Sequence, residues 1–221
     1  MRPLVTGALS PRSATVFALG LELAAFVVLA SFVNFLSAWL ALAATAFYVV
    51  VYTLWLKRRS SQNIVIGGAA GAVPVLIGWS SVTNSLAWTP VRLFAVIFIW
   101  TPPHFWALAV RYRDDYEAAH VPMLPVVASL QRTTLEILVY TVVLWAVSIL
   151  VGPVAGLGWI YAVSAVVLGG LFTFFAAKLF ALARVGRADV ARAMKLFHFS
   201  ITYLTALFVV MALDVIVRHH G

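Results

Sequence analysis

Residues 100–125 read WTPPHFWALAVRYRDDYEAAHVPMLP. An apolar helical pattern enters this stretch and meets Arg-Tyr-Arg-Asp-Asp-Tyr-Glu. Three of the chain's seven carboxylates, Asp114, Asp115 and Glu117, fall within four positions here. Such an abrupt change marks a helix leaving an apolar medium. Composition agrees: 64% of the 221 residues are hydrophobic and 10% are charged, against roughly 25% charged in a soluble domain. The balance is that of a polytopic membrane protein with one membrane-embedded domain, 1–221. The net charge of +8 does not indicate nucleic acid, because the cations are spread over short loops between apolar segments. Cysteine is absent, which excludes disulfides and thiolate catalysis.

Spanning helices of about 20 residues are expected at about 14–35, 36–56, 64–86, 90–110, 133–151, 159–177 and 196–215. Breaks are expected at Asn34, at Asn84 with Pro90, at Pro122 with Pro125, and at Gly152-Pro153. With an inside N-terminus, the inside segments hold Arg2, Arg12, Lys57, Arg58, Arg59, Arg111, Arg113, Arg132, Lys178, Arg184, Arg187, Arg192 and Lys195. That is 13 of 15 Lys and Arg, leaving Arg92 and Arg218 outside. The positive-inside rule therefore places the N-terminus and the acidic stretch in the cytoplasm and the C-terminus outside. No cleavable signal or transit segment is expected at the start. A bacterial cell (inner) membrane is the expected location.

The acidic cluster has two readings: a solvated helix end paired with Arg111 and Arg113, or a Mg²⁺ site. Mg²⁺ takes one or two carboxylates, keeps waters and draws further oxygens from phosphates. The connection YTLWLKRRSSQN, 52–63, also lies on the inner side. Lys57, Arg58 and Arg59 suit a diphosphate, and Asn63 suits a hydrogen bond to it or to metal-bound water. The plain alternative is positive-inside anchoring. Together the two loops suggest a ligand with a metal-diphosphate head and a lipid-like tail. If one helix runs from His104 to Asp115, positions 104, 108, 111 and 115 share a face, and His104 lies roughly 16 Å deeper. Pro102-Pro103 then opens that helical segment or kinks it. An ionisable residue at that depth is a functional candidate; otherwise it is a core histidine satisfied by a neighbouring helix. Tyr48, Tyr52 and Trp55 fall on one face, as an interface belt or as an aromatic wall for a carbocation. Gly67, Gly68, Gly71 and Gly78 either let helices approach closely or leave room for a ligand. Glu22 and Asp214 read as helix-packing or helix-end residues.

The stretches NIVIGGAAGAVPVLIGWSSVTNSL, 63–86, and WTPPHFWALAVRYRDDYEAAHVPMLPVV, 100–127, resemble the protoheme IX farnesyltransferases, the heme O synthases of the UbiA superfamily. The likeness runs from RPLVTG, 2–7, to the last span, with TPPHFWALA, DDY and PMLP its most specific parts. The resemblance implies an all-α transmembrane bundle with a central cavity open to the cytoplasm, seven spans being present of nine expected. It implies transfer of a farnesyl group from farnesyl diphosphate to a vinyl group of heme B, giving heme O, with Mg²⁺ held at Asp114 and Asp115. Tyr116 lies beside that motif at the prenyl pocket, Lys57, Arg58, Asn63 and Arg111 belong to the diphosphate region, and His104 is the signature histidine. His104 would position heme, ligate its iron or move a proton. Implied partners are farnesyl diphosphate, heme B, membrane lipid, and heme A synthase or oxidase assembly factors. The family's first acidic motif, N-x-x-x-D-x-x-x-D, precedes the segment matching Arg2-Pro3-Leu4 and is not found in these residues. The chain is therefore expected to lack the family's first two helices and half its metal site. The alternatives are an inactive fragment, a prenyltransferase with an aromatic acceptor, and a secondary transporter, which would show an internal repeat.

Overall fold

The computed structural model describes residues 3, 4 and 6–220, with the side chains of His219 and His220 excepted. Arg2, one of the cations assigned inside, and part of the RPLVTG stretch lie outside the described residues. Seven helices are long and apolar enough to span a membrane. They are α1 (Pro11–Phe32), α2 (Phe35–Leu56), α3 (Asn63–Thr83), α4 (Trp88–Arg111), α7 (Leu130–Ala155), α8 (Trp159–Arg184) and α9 (Val190–His220). Two short helices, α5 (Arg113–Ala118) and α6 (Leu124–Val127), lie between α4 and α7. No strand occurs among the described residues. The protein is a multi-pass all-α membrane bundle.

Local chemistry sets the breaks. Asn34 has extended backbone, and its Oδ1 accepts from the Ser37 amide at 2.8 Å, so α2 starts on an Asn cap. Asn84 closes α3 in the left-handed region, φ 49°. The break expected at Gly152-Pro153 falls later. The α7 helix runs through both residues to Ala155, and Gly156 at φ 65° closes it. A proline is tolerated inside a membrane helix when neighbours satisfy the freed backbone, and only Gly156 has the dihedral that ends the helix. Pro102 and Pro103 likewise lie inside α4 rather than opening it.

Helix α4 is central and packs on α3, α7 and α9, while α8 packs on α7 and α9. Val96, Trp106, Ile137, Leu144, Phe172 and Leu207 are among the buried residues of the main core. Between lipid-embedded helices, apolar burial drives little, so close packing and interhelical hydrogen bonds hold the bundle. Ser37 and Ser80 hydroxyls meet at 2.7 Å, and Asn34 Nδ2 donates to Ser80 O at 2.8 Å, tying α2 to α3. Ser148 meets the Tyr203 hydroxyl at 2.6 Å, and the Tyr161 hydroxyl donates to Ser148 O at 2.8 Å. The buried carboxylate of Asp214 accepts from the amides of Gly158, at 2.5 Å, and Tyr161, at 3.2 Å. It caps α8 from α9, the helix-end role expected of it. By contrast α1 has no buried residue and, among the described residues, packs on α2 alone.

Candidate functional site

The second half of α2, Phe47–Leu56, is wound as a π-helix, with the Lys57 amide bonded to Tyr52 O at 2.8 Å. The wider turn of a π-helix, bonded i→i+5, keeps Tyr48 and Tyr52 neighbours, their ring centroids 5.2 Å apart. It carries Trp55 away. Tyr48 and Tyr52 line a cavity of about 270 Å³ between α2, α3 and α4, whereas Trp55 does not line it and is 55% exposed. The aromatic face expected of all three residues therefore holds for two.

Four residues the sequence did not single out, Ile97, Trp100, Thr101 and Phe105, form the α4 wall of this cavity. They lie within two turns of the signature His104, and the i, i+4, i+8 spacing of Ile97, Thr101 and Phe105 on an apolar helix was the available signal. The α3 wall is Ile64, Gly67, Gly68 and Gly71. A Cβ on Gly67 would run into the Tyr52 ring, and one on Gly68 would lie 2.9 Å from Thr101 Cγ2. A Cβ on Gly71 would meet nothing within 4 Å. Both readings of the glycine stripe thus apply, at different residues: Gly67 and Gly68 allow close approach, and Gly71 leaves space.

His104 is buried and does not line the cavity. Its ring stacks between Trp100, 4.1 Å between centroids, and Phe197 of α9, 4.6 Å. Its Nδ1 lies 2.7 Å from Ser200 Oγ. The Ser200 hydroxyl donates to Phe197 O at 2.6 Å, so its single proton is committed. The network therefore assigns the other proton to His104 Nδ1 as donor, leaving Nε2 with the lone pair. Trp100 Nε1 donates to Ser200 O at 2.8 Å. Within the fold, His104 buttresses a cavity-wall tryptophan.

At the polar end of this cavity the two charged connections come together. Asn63 is fully buried at the start of α3, and its Nδ2 donates to Lys57 O at 3.2 Å. That bond fixes the basic turn over the end of α2. Asn63 Oδ1 is buried without a partner. Lys57 is half-buried and Arg58 is exposed. Helix α4 ends at Arg111, which is exposed with its guanidinium 5.6 Å from the Tyr112 ring centroid. Tyr112, at φ −101° and ψ 26°, breaks the chain out of helix. Asp115 therefore lies on the separate helix α5, and the single face expected for 104, 108, 111 and 115 stops at 111. Asp114 and Asp115 occupy the exposed first turn of α5, where a helix N-terminus favours carboxylates.

A small apolar cluster of Ile64, Ala109, Val121 and Met123, joined by Tyr116, clamps the acidic segment against α3. Burial, with Tyr112 nearby, pushes the Tyr116 phenol above its usual range. Arg58 and Glu117, with His120, line one surface cavity of about 290 Å³. The basic turn and the acidic segment are therefore adjacent at one end of the bundle. The ion pairs among the described residues are Arg132–Glu136 and Arg192–Asp189, so Asp114, Asp115 and Glu117 are not spent on Arg111 or Arg113. No group of three or more His, Asp or Glu converges as a metal cage among the described residues. Two unpaired neighbouring carboxylates suit a hydrated Mg²⁺ that completes its shell from a ligand's phosphate oxygens.

The UbiA prenyltransferase family profile matches residues 1–201. The chain is 54% identical over 211 residues to protoheme IX farnesyltransferase of Parafrankia sp., covering 96% of this chain and 67% of that protein. It is 52% identical over 216 residues to the protein of the same name from Frankia casuarinae, covering 98% and 74%. To that of Streptomyces avermitilis it is 49% identical over 221 residues, covering 98% and 72%. No solved structure matches the chain.

Proposed function

The chain belongs to the UbiA prenyltransferase family, and on that premise we propose that it transfers a farnesyl group from farnesyl diphosphate to a vinyl group of heme B, forming heme O. The observation that carries this reading is the meeting of a basic turn and unpaired carboxylates above an aromatic cavity between apolar helices. The relatives' shared name agrees with it.

Prenyltransferases of this family generally use a divalent metal. Asp114 and Asp115 would hold it, with Mg²⁺ the ion their chemistry suits. When bound, the metal supplies Lewis acidity toward the leaving diphosphate. Lys57 and Arg58 stabilise the charge that grows on the diphosphate as the farnesyl C1–O bond breaks. Asn63 holds the Lys57 turn in place. Arg111 stands at the end of α4, where it attracts the anionic head.

The farnesyl tail enters the apolar cavity. Its allylic cation lies against the faces of Tyr48 and Tyr52, whose quadrupoles favour positive charge. Tyr116, packed against the Ile64 cluster, lies on the acidic side. Trp55 has no part in this wall. The vinyl π pair of heme B forms the new carbon–carbon bond, and water adds to the resulting cation beside the macrocycle with loss of a proton. Bulk water must be kept out until then, since it would trap the allylic cation as farnesol. His104 acts as a positioning residue, holding Trp100 on the cavity wall and α4 on α9. The loop charges support a site on the cytoplasmic face of the cell membrane.

Asp115→Ala tests the assignment. In membranes supplied with heme B, farnesyl diphosphate and Mg²⁺, it should abolish heme O measured by chromatography. Near-normal product would remove Asp115 from the metal site.

A further inference from the structure

A second charged cavity lies between α8 and α9, sharing no residue with the aromatic one. Phe175, Lys178, Leu179, Arg192, Lys195 and Leu196 line its volume of about 140 Å³. Between residues 178 and 195 there are five cations, Lys178, Arg184, Arg187, Arg192 and Lys195, and one carboxylate, Asp189. Asp189 pairs with Arg192. The other four make no ion pair among the described residues. Lys195 lays its chain against the apolar wall, its ammonium 5.3 Å from the Phe175 ring centroid. Leu179 and Leu196 are buried as the floor. The cavity thus presents cations at a rim and hydrocarbon beneath.

Below Lys178 on α8, at steps of four, three and four residues, come Phe174, Leu171 and Val167, exposed by 59%, 44% and 52%. Those eleven residues of helix cover roughly 16 Å, about half of a hydrocarbon core of roughly 30 Å. A cationic cavity at the interface, continued by an apolar stripe one leaflet deep, matches a phosphate carrying acyl chains. A soluble anion would use the cations but not the stripe. We infer that the α8–α9 cavity binds the phosphate of an anionic phospholipid in the leaflet that also faces the Lys57 turn. By helix parity, the 178–195 segment lies at the same end of the bundle as that turn. The inference needs the membrane reading but not the prenyl-transfer reading.

Native mass spectrometry tests it on the full chain released from phosphatidylcholine nanodiscs with or without phosphatidylglycerol. Wild type should retain phosphatidylglycerol in preference to phosphatidylcholine, and rising salt should erode the preference. Lys178→Ala with Lys195→Ala should weaken it about thirty-fold, the effect of two interfacial cations. Lys178→Arg with Lys195→Arg, which keeps both charges, should preserve it. A wild type without preference, a preference insensitive to salt, or an unchanged alanine variant would overturn the inference. So would displacement of the lipid by equimolar inorganic phosphate, which would mark a free-anion site. If the alanine variant fails to fold, the salt series on wild type decides.

Discussion

Substituting Gly67 by alanine probes the cavity wall with a single methyl group. The new Cβ would lie 2.7 Å from Tyr52 Cε2 and 2.9 Å from Cγ, with Cδ2 closer still. Real Cβ atoms do not approach so near, so the ring must swing into the cavity that it lines. Overpacking of this kind costs about 1–3 kcal/mol. Alanine in a helix interior gains about 0.5–1 kcal/mol over glycine, so Gly67→Ala should destabilise by up to about 2.5 kcal/mol. Gly71→Ala is the control: same helix, same propensity gain, and open space around the new methyl. The difference between the two variants cancels propensity and isolates the clash. At about 2–4 °C per kcal/mol for a chain of this size, the melting temperatures in detergent should differ by roughly 2–12 °C. The displaced ring also occupies tail volume, so KM for farnesyl diphosphate should rise more in Gly67→Ala than in Gly71→Ala, where only a methyl enters the open space. Adding Tyr52→Ala to Gly67→Ala should remove the clash, giving a coupling energy of about 1–3 kcal/mol. If Gly67→Ala matches Gly71→Ala in melting temperature and KM, Tyr52 does not form that wall.

Ser200→Ala should destabilise by about 1–3 kcal/mol in thermal unfolding, because the buried Nδ1 of His104 loses its partner; an unchanged melting temperature would refute the His104–Ser200 bond. Burial raises the Tyr116 pKa above 10.0, so the folded state favours the neutral phenol. The stability this contributes is complete below pH 10.0 and is lost as pH rises through the folded pKa. Melting temperatures from about pH 8 to about pH 11 should therefore fall more steeply for wild type than for Tyr116→Phe; parallel curves would place Tyr116 in open solvent.

The spans were legible because hydropathy and loop charge are written locally. Asn34 and Asn84 could be read as breaks for the same reason, since a cap needs only a few neighbouring residues. Gly152-Pro153 misled because a turn-forming pair can be absorbed into a membrane helix, whereas the left-handed dihedral falls at Gly156. The π-turns of Phe47–Leu56 were invisible, since a continuous apolar run fits α and π winding alike, and Trp55 was assigned to the wrong face. His104 shows a further limit. Its depth was readable, but its partner Ser200 is 96 residues away, and no periodicity connects them. Loop charge puts the basic and acidic loops on one side of the membrane and lets them be read together. Their adjacency depends on the packing of α3 on α4 and on the Ile64–Val121–Met123 cluster, which no local pattern encodes.

The central claim is that the Lys57 turn and the acidic helix grip one diphosphate from the same end of the bundle. The chain contains no cysteine, so Arg58→Cys with Glu117→Cys places two unique thiols at the cavity those residues share. In membranes, a short bis-maleimide should join the two thiols within one chain, detected as a bridged peptide by mass spectrometry. Farnesyl diphosphate with Mg²⁺ should slow the reaction. Thiols that cannot be bridged, or that react with an impermeant reagent from opposite sides of the membrane, would contradict the claim.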